Sequence, residues 1–184
     1  MARRREPSPQ REMRKVILVI CEGETEACYL GLVKSRFRSP VKIISRVKGA
    51  SITSSFVRKC QKELELSASD NVRTFLMYDM DVADVVDKLA KCSAEPAFSN
   101  PCFEIWPQLH VRDHSTPIST SELLKKLKES TPVWRNYRKG EFTDTQKNFL
   151  MDNIDAAMAR SKALQEHKNP STDVWKIIEL IKQH

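Results

Sequence analysis

Three short apolar runs organise the first half of the chain: Lys15–Cys21 (KVILVIC), Val41–Val47 (VKIISRV) and Val72–Tyr78 (VRTFLMY). KVILVIC is continuous and β-branched, the pattern of a strand buried on both faces of a parallel sheet. Between the runs the period lengthens. Thr25–Arg36 carries Tyr29, Leu30, Leu32 and Val33 at helical spacing, continued by Phe37 and stopped by Pro40. Ala50–Leu66 reads as a helix opened by the hydroxyls of Ser51 and Thr53, and Ala83–Cys92 as a third helix. This β-α-β-α-β-α rhythm predicts right-handed crossovers and an α/β fold with a mostly parallel, doubly wound sheet.

The second half is helical in pattern. Ala97–Ser99 suits a short fourth strand. Asn100-Pro101 suits a helix start, with Asn as N-cap and Pro first in the helix, so Cys102–His110 is expected helical and kinked or shortened by Pro107. Glu122–Ser130, a long Thr143–His167, and Asp173–Lys182 follow, the last capped by Ser171 and Thr172. No repeat or low-complexity linker interrupts the chain. The expected organisation is a disordered basic arm at residues 1–13 and one domain at 14–184. Within it, 14–100 form an α/β core and 101–184 a mainly helical cover.

Composition narrows the setting. Net charge is +7, with four arginines among the first eleven residues, which suits a polyanionic partner or a merely solvated tail. No apolar run approaches the roughly 20 residues of a membrane span, and the leader has no apolar core like a secretory signal's. A cytoplasmic location without membrane contact is expected. Five cysteines form no C-x-x-C pair and read as free thiols. With four glycines, neither a P-loop nor a dinucleotide fingerprint is present, which argues against an ATPase or dehydrogenase.

Chemistry gathers where two of the predicted strands end. Glu22 directly follows KVILVIC; Asp79 and Asp81 directly follow VRTFLMY. In open α/β sheets ligands bind beyond the carboxyl ends of strands. If the strand continues, Asp79 and Asp81 project to the same side, about 6.6 Å apart. With Glu22 they would make a hard-oxygen site for Mg²⁺ or Mn²⁺, suited to polarising a scissile phosphate. Gly23 permits close approach of the backbone. Glu24 and Glu26 lie at a helix start, where acids are tolerated without any function; Glu26 is also placed to orient the site from behind.

Further candidates are weaker. Glu104 could point into the crevice and join the catalytic acids. Asn100, His110, Arg138 and Lys139 are candidate substrate contacts. A helix cap explains Asn100 equally, and packing explains His110. Arg135, Arg138 and Lys139 form a basic loop beside Trp134 and Tyr137, a mix suited to phosphate attraction plus base stacking. Trp106, Trp134 and Trp175 also suit a core.

The stretch VICEGETEACYL resembles the opening motif of Toprim proteins, and FLMYDMD resembles their Asp-x-Asp motif. SNPCFEIWPQLH, YRKG and NPSTDVWKIIELI resemble the RloB-like family, bacterial and archaeal proteins found near restriction-modification and abortive-infection genes. The similarity runs from Lys15 to Ile181. It implies a Toprim-like fold, a metal-dependent nuclease role in phage or plasmid defence, and Glu22, Asp79 and Asp81 as the matching acids. Its implied partners are nucleic acid and a defence-system protein, with a homo-oligomer left open. Ala83 stands where some Toprim enzymes have a third acid, and whether Asp84 substitutes is left open. A non-catalytic nucleic-acid or nucleotide-binding subunit is the alternative. Nucleotidyl transfer lacks the extra binding apparatus it would need.

Overall fold

The computed structural model describes residues 15–38, 42–64 and 71–183. The basic arm expected at 1–13 and the helix stop expected at Pro40 lie outside them.

Strand β1 (Lys15–Cys21) leads to helix α1 (Glu24–Phe37), β2 (Lys42–Val47), a 3₁₀ turn (Gly49–Ser51), α2 (Ser54–Lys62), β3 (Asn71–Met77), α3 (Ala83–Leu89) and β4 (Glu95–Pro96). The four strands form one sheet in the order β2-β1-β3-β4, every pairing parallel. A two-residue antiparallel ladder joins β5 (Ser99–Asn100) to β6 (Ser171–Thr172). This is the Rossmann-like α/β arrangement the alternating pattern predicts.

The central strands explain why. Ile17, Val19 and Cys21 of β1 join one core; Val16, Leu18 and Ile20 join another on the opposite face. β3 and its extension divide likewise, Phe75 and Met77 to one side, Leu76 and Tyr78 to the other. Polar residues are costly in a strand covered on both faces, hence the unbroken apolar run Val16–Cys21 in β1. Each fully buried aliphatic side chain contributes about 1.5–3 kcal/mol relative to exposure. Val57 and Cys60 of α2 and Val85 and Leu89 of α3 cover one face.

The other face is larger. It is covered by α1 together with α4 (Ile105–Val111), α5 (Thr120–Ser130), α6 (Asp144–Asp152), α7 (Ile154–Lys162) and α8 (Val174–Lys182). The helical cover therefore shares its core with the sheet. Among the described residues no helix is long and apolar enough to cross a membrane.

Several elements differ from the sequence expectation. Asn100 is a strand residue whose side chain donates to the His167 carbonyl, and α4 starts only at Ile105. Pro107 is then the third helical residue, where no N–H is required, so it neither kinks nor shortens the helix. The single long helix expected over Thr143–His167 is two helices meeting at Asn153, whose side-chain amide donates to the Phe149 carbonyl. Ser171 and Thr172 pair in β6 rather than serving only as caps. Thr53 does cap α2, accepting from the Phe56 N–H, but the helix is shorter than the pattern suggested.

Candidate metal centre

The sheet delivers the two principal acids to one place. The Glu22 N–H donates to the Met77 carbonyl at 3.0 Å, extending the β1–β3 pairing one step beyond both strands. Its carboxylate then accepts the Asp79 N–H at 2.9 Å. Asp79 Oδ1 accepts the Phe103 N–H at 2.7 Å, which joins the sheet end to the approach into α4. Glu26, in the first turn of α1, is buried and accepts the Gly23 N–H at 3.1 Å. A Cβ on residue 23 would come within 3.2 Å of that carboxylate, so glycine here makes room for Glu26.

Glu104 comes in from the helical cover and is only 1% exposed. The Tyr137 hydroxyl donates to its Oε1 at 3.0 Å, and the Lys139 ammonium stands 3.3 Å from its Oε2. The loop carrying these two residues is pinned to α1, because the Gly140 N–H donates to Thr25 Oγ at 2.8 Å. The half-exposed Lys139 is thereby held at the edge of an acidic cluster.

The charges disturb one another. Burial, reinforced by Glu26, Glu22 and Glu104, pushes Asp79 up to about 9, against the opposing pull of Lys139. Burial pushes Glu26 up to about 7, helped by Glu104 and Glu22 and opposed by backbone N–H groups. Burial works to lower the Lys139 pKa, but Glu104, Cys102 and Asp79 carry it upward overall. A cluster of neighbouring carboxylates that holds Asp79 and Glu26 above their ordinary range is short of positive charge. Their hard oxygen donors suit Mg²⁺ or Mn²⁺.

Asp81 departs from the expected constellation. The chain bends at Met80 and Asp81, so the alternation that would align Asp81 with Asp79 lapses. Asp81 is exposed and accepts a hydrogen bond from Thr120 Oγ at 3.2 Å. Among the described residues, Glu22, Asp79 and Asp81 do not offer three ligand atoms within 4.8 Å of one another. Asp84 is exposed in the first turn of α3.

The remaining candidates divide. Lys139 and Glu104 join the cluster; Arg138 and Arg135 are exposed on the same loop. Trp134 and Tyr137 are buried in a cluster with Phe142, so the base stacking expected of them is not available. His110 is buried against Trp106, donating from Nδ1 to the Trp106 carbonyl at 2.8 Å. Burial lowers its pKa to about 4, and Arg160 is the charge that bears on it. Packing accounts for it. Asn100 is spent on the His167 carbonyl. Sequence reading missed Thr25 as the anchor of the basic loop and Tyr137 as the donor to Glu104. The first lies inside the acid-glycine motif; no spacing signals the second.

Fold and site together define an α/β protein with an acidic cluster at the carboxyl edge of a parallel sheet. The RloB-like protein family model matches residues 17–181, and the chain belongs to that family. Membership is consistent with a defence-associated role. No curated protein and no solved structure matched the chain.

Proposed function

We propose that this protein is a metal-dependent nuclease that cleaves phosphodiester bonds in DNA or RNA, acting as an effector in anti-phage or anti-plasmid defence. The observation that carries this reading is the convergence of Glu22 and Asp79 beyond two neighbouring strands, among acids whose mutual repulsion calls for a cation. Glu22 and Asp79 would hold Mg²⁺ or Mn²⁺, with Asp81 following in the chain. When bound, such an ion polarises the scissile phosphate and stabilises the departing oxygen.

The chain's own groups supply the rest. Lys139, oriented by Glu104 and the Thr25–Gly140 bond, offers a positive contact to a phosphate oxygen. Tyr137 keeps Glu104 in place through its hydroxyl. Glu26 titrates near neutrality and can exchange a proton close to the reacting centre.

The outward turn of Asp81 and the alanine at position 83 favour a second reading, a nucleic-acid or nucleotide-binding subunit without turnover. One experiment separates the two. Purified protein is incubated with plasmid, single-stranded DNA and RNA, with Mn²⁺ or EDTA, beside an Asp79→Ala/Asp81→Ala variant. Mn²⁺-dependent cleavage lost in the variant supports the nuclease. Binding that survives EDTA, with no cleavage by either protein, supports the binding subunit.

A further inference from the structure

We propose a second metal site, for a borderline divalent ion of the Zn²⁺ class, formed by Glu166, His167 and Asp173 at the base of α8. Among the described residues this is the group that brings three such ligand atoms within 4.8 Å of one another. It lies apart from the acidic crevice and uses none of its residues.

Asp173 is the strongest reason. It is 4% exposed, and its Oδ2 makes no hydrogen bond. A buried carboxylate oxygen without a hydrogen bond is costly, and its neighbour here is the His167 ring, an ion-pair partner only when that ring is protonated. That oxygen sits 3.3 Å from His167 Nε2, and His167 Nε2 sits 3.8 Å from Glu166 Oε1. Zinc–ligand bonds of about 2.0–2.1 Å in a tetrahedron place neighbouring ligand atoms about 3.3 Å apart. The Asp173–His167 separation is thus that of two ligands of one ion, and the Glu166 oxygen lies somewhat farther out.

The ligands are also well held. The Asp173 N–H donates to the Phe98 carbonyl at 2.8 Å, and the His167 carbonyl accepts from the Asn100 side chain at 3.0 Å. His167 lies at a φ of 61°, and its ring packs on Phe98. Solvent reaches Glu166 and His167, leaving a path for the ion and for a water as fourth ligand. A single imidazole in the donor set favours Zn²⁺, Co²⁺ or Ni²⁺ over Mg²⁺.

The competitor is Lys176. Its ammonium pairs with Glu166 and stands 3.3 Å from Asp173 Oδ1. Metal binding must displace it from Glu166, so removing this charge should tighten binding. Once filled, the site would staple the turn before β6 to the Phe98–Asn100 segment.

The test uses the full chain and Co²⁺, whose tetrahedral complexes absorb strongly in the visible. One equivalent should give the tetrahedral bands in wild type and in Asp79→Asn, and Zn²⁺ should remove them. His167→Asn, which suits a left-handed backbone and leaves the core untouched, should abolish the bands. Asp173→Asn should weaken binding by at least about tenfold, and Lys176→Met should strengthen it by about the same factor. Absence of the bands in wild type, or unchanged affinity in His167→Asn, would overturn the proposal. So would their loss in Asp79→Asn, which would assign the ion to the crevice. None of these outcomes depends on nuclease activity.

Discussion

Glu22 and Asp79 are 57 residues apart in the chain and meet through one bond, the Asp79 backbone N–H donating to the Glu22 carboxylate at 2.9 Å. On Asp79 it is the backbone, not the side chain, that makes this contact. The Asp79 carboxylate is thus left to accept from Phe103 and to face the other acids.

The two acids should separate chemistry from stability. Asp79→Asn is expected to lower Mn²⁺-dependent cleavage by at least about 100-fold, the several kcal/mol that a charge-neutralising centre supplies. The same change removes a carboxyl that must take up a proton to be buried at this pH, so the thermal midpoint without metal at pH 8 should stay level or rise. Cleavage assays and melting curves on one preparation check both. A variant that cuts as well as wild type would remove Asp79 from the mechanism.

Stability should depend on pH in a defined direction. Asp79 moves from 3.8 to about 9 on folding, and Glu26 from 4.5 to about 7. In this interval the folded state binds more protons than the unfolded chain, so stability falls as pH rises. The contribution is complete below about pH 4 and lost as pH passes through about 7 and then about 9. Urea unfolding from pH 5 to 9 in EDTA should show this decline, and Mn²⁺ should flatten it. A rise in stability across the interval would contradict the folded-state pKa values.

The support beneath Lys139 can be probed from both ends. Tyr137→Phe leaves Glu104 Oε1 without its donor in a site 1% exposed, at an expected cost of about 1–3 kcal/mol in urea unfolding. Lys139→Met should reduce kcat/KM by about 10- to 100-fold while far-UV circular dichroism stays unchanged.

Trp134 and Arg138 should behave oppositely. Trp134 is fully buried against Tyr137, Phe142 and Phe149, so Trp134→Ala should cost about 3–5 kcal/mol of stability. Arg138→Ala, on the exposed loop, should leave stability unchanged, weaken nucleic-acid binding and make it less sensitive to salt. Filter binding across a salt series, beside melting curves, reads both.

The sheet was legible because its signal is strong. A strand buried on both faces favours apolar residues throughout, and KVILVIC can be little else. Glu22 and Asp79 were legible for a related reason, since they stand at the first polar positions where those runs end. The expected alignment of Asp81 with Asp79 fails because the alternation rule needs an extended chain, and the chain bends at Met80. The break at Asn153 carries no proline or glycine, only a side chain that bonds back one turn. Asn100 followed by proline reads as a cap, yet its ladder with Ser171 depends on a partner more than seventy residues away. The Tyr137–Glu104 bond is equally long-range, and neither residue's neighbours announce it.

The division of β1 between two cores has a consequence for the crevice. Sliding that strand by a single residue would turn Leu18 and Ile20 toward the helical cover and Val19 toward α2 and α3, upsetting both interiors at once. Glu22 is therefore indexed at the carboxyl end of the sheet by greasy side chains behind it, none of which carries a charge. Substitutions that merely loosen this packing would misaim the acid while leaving every charged residue in place.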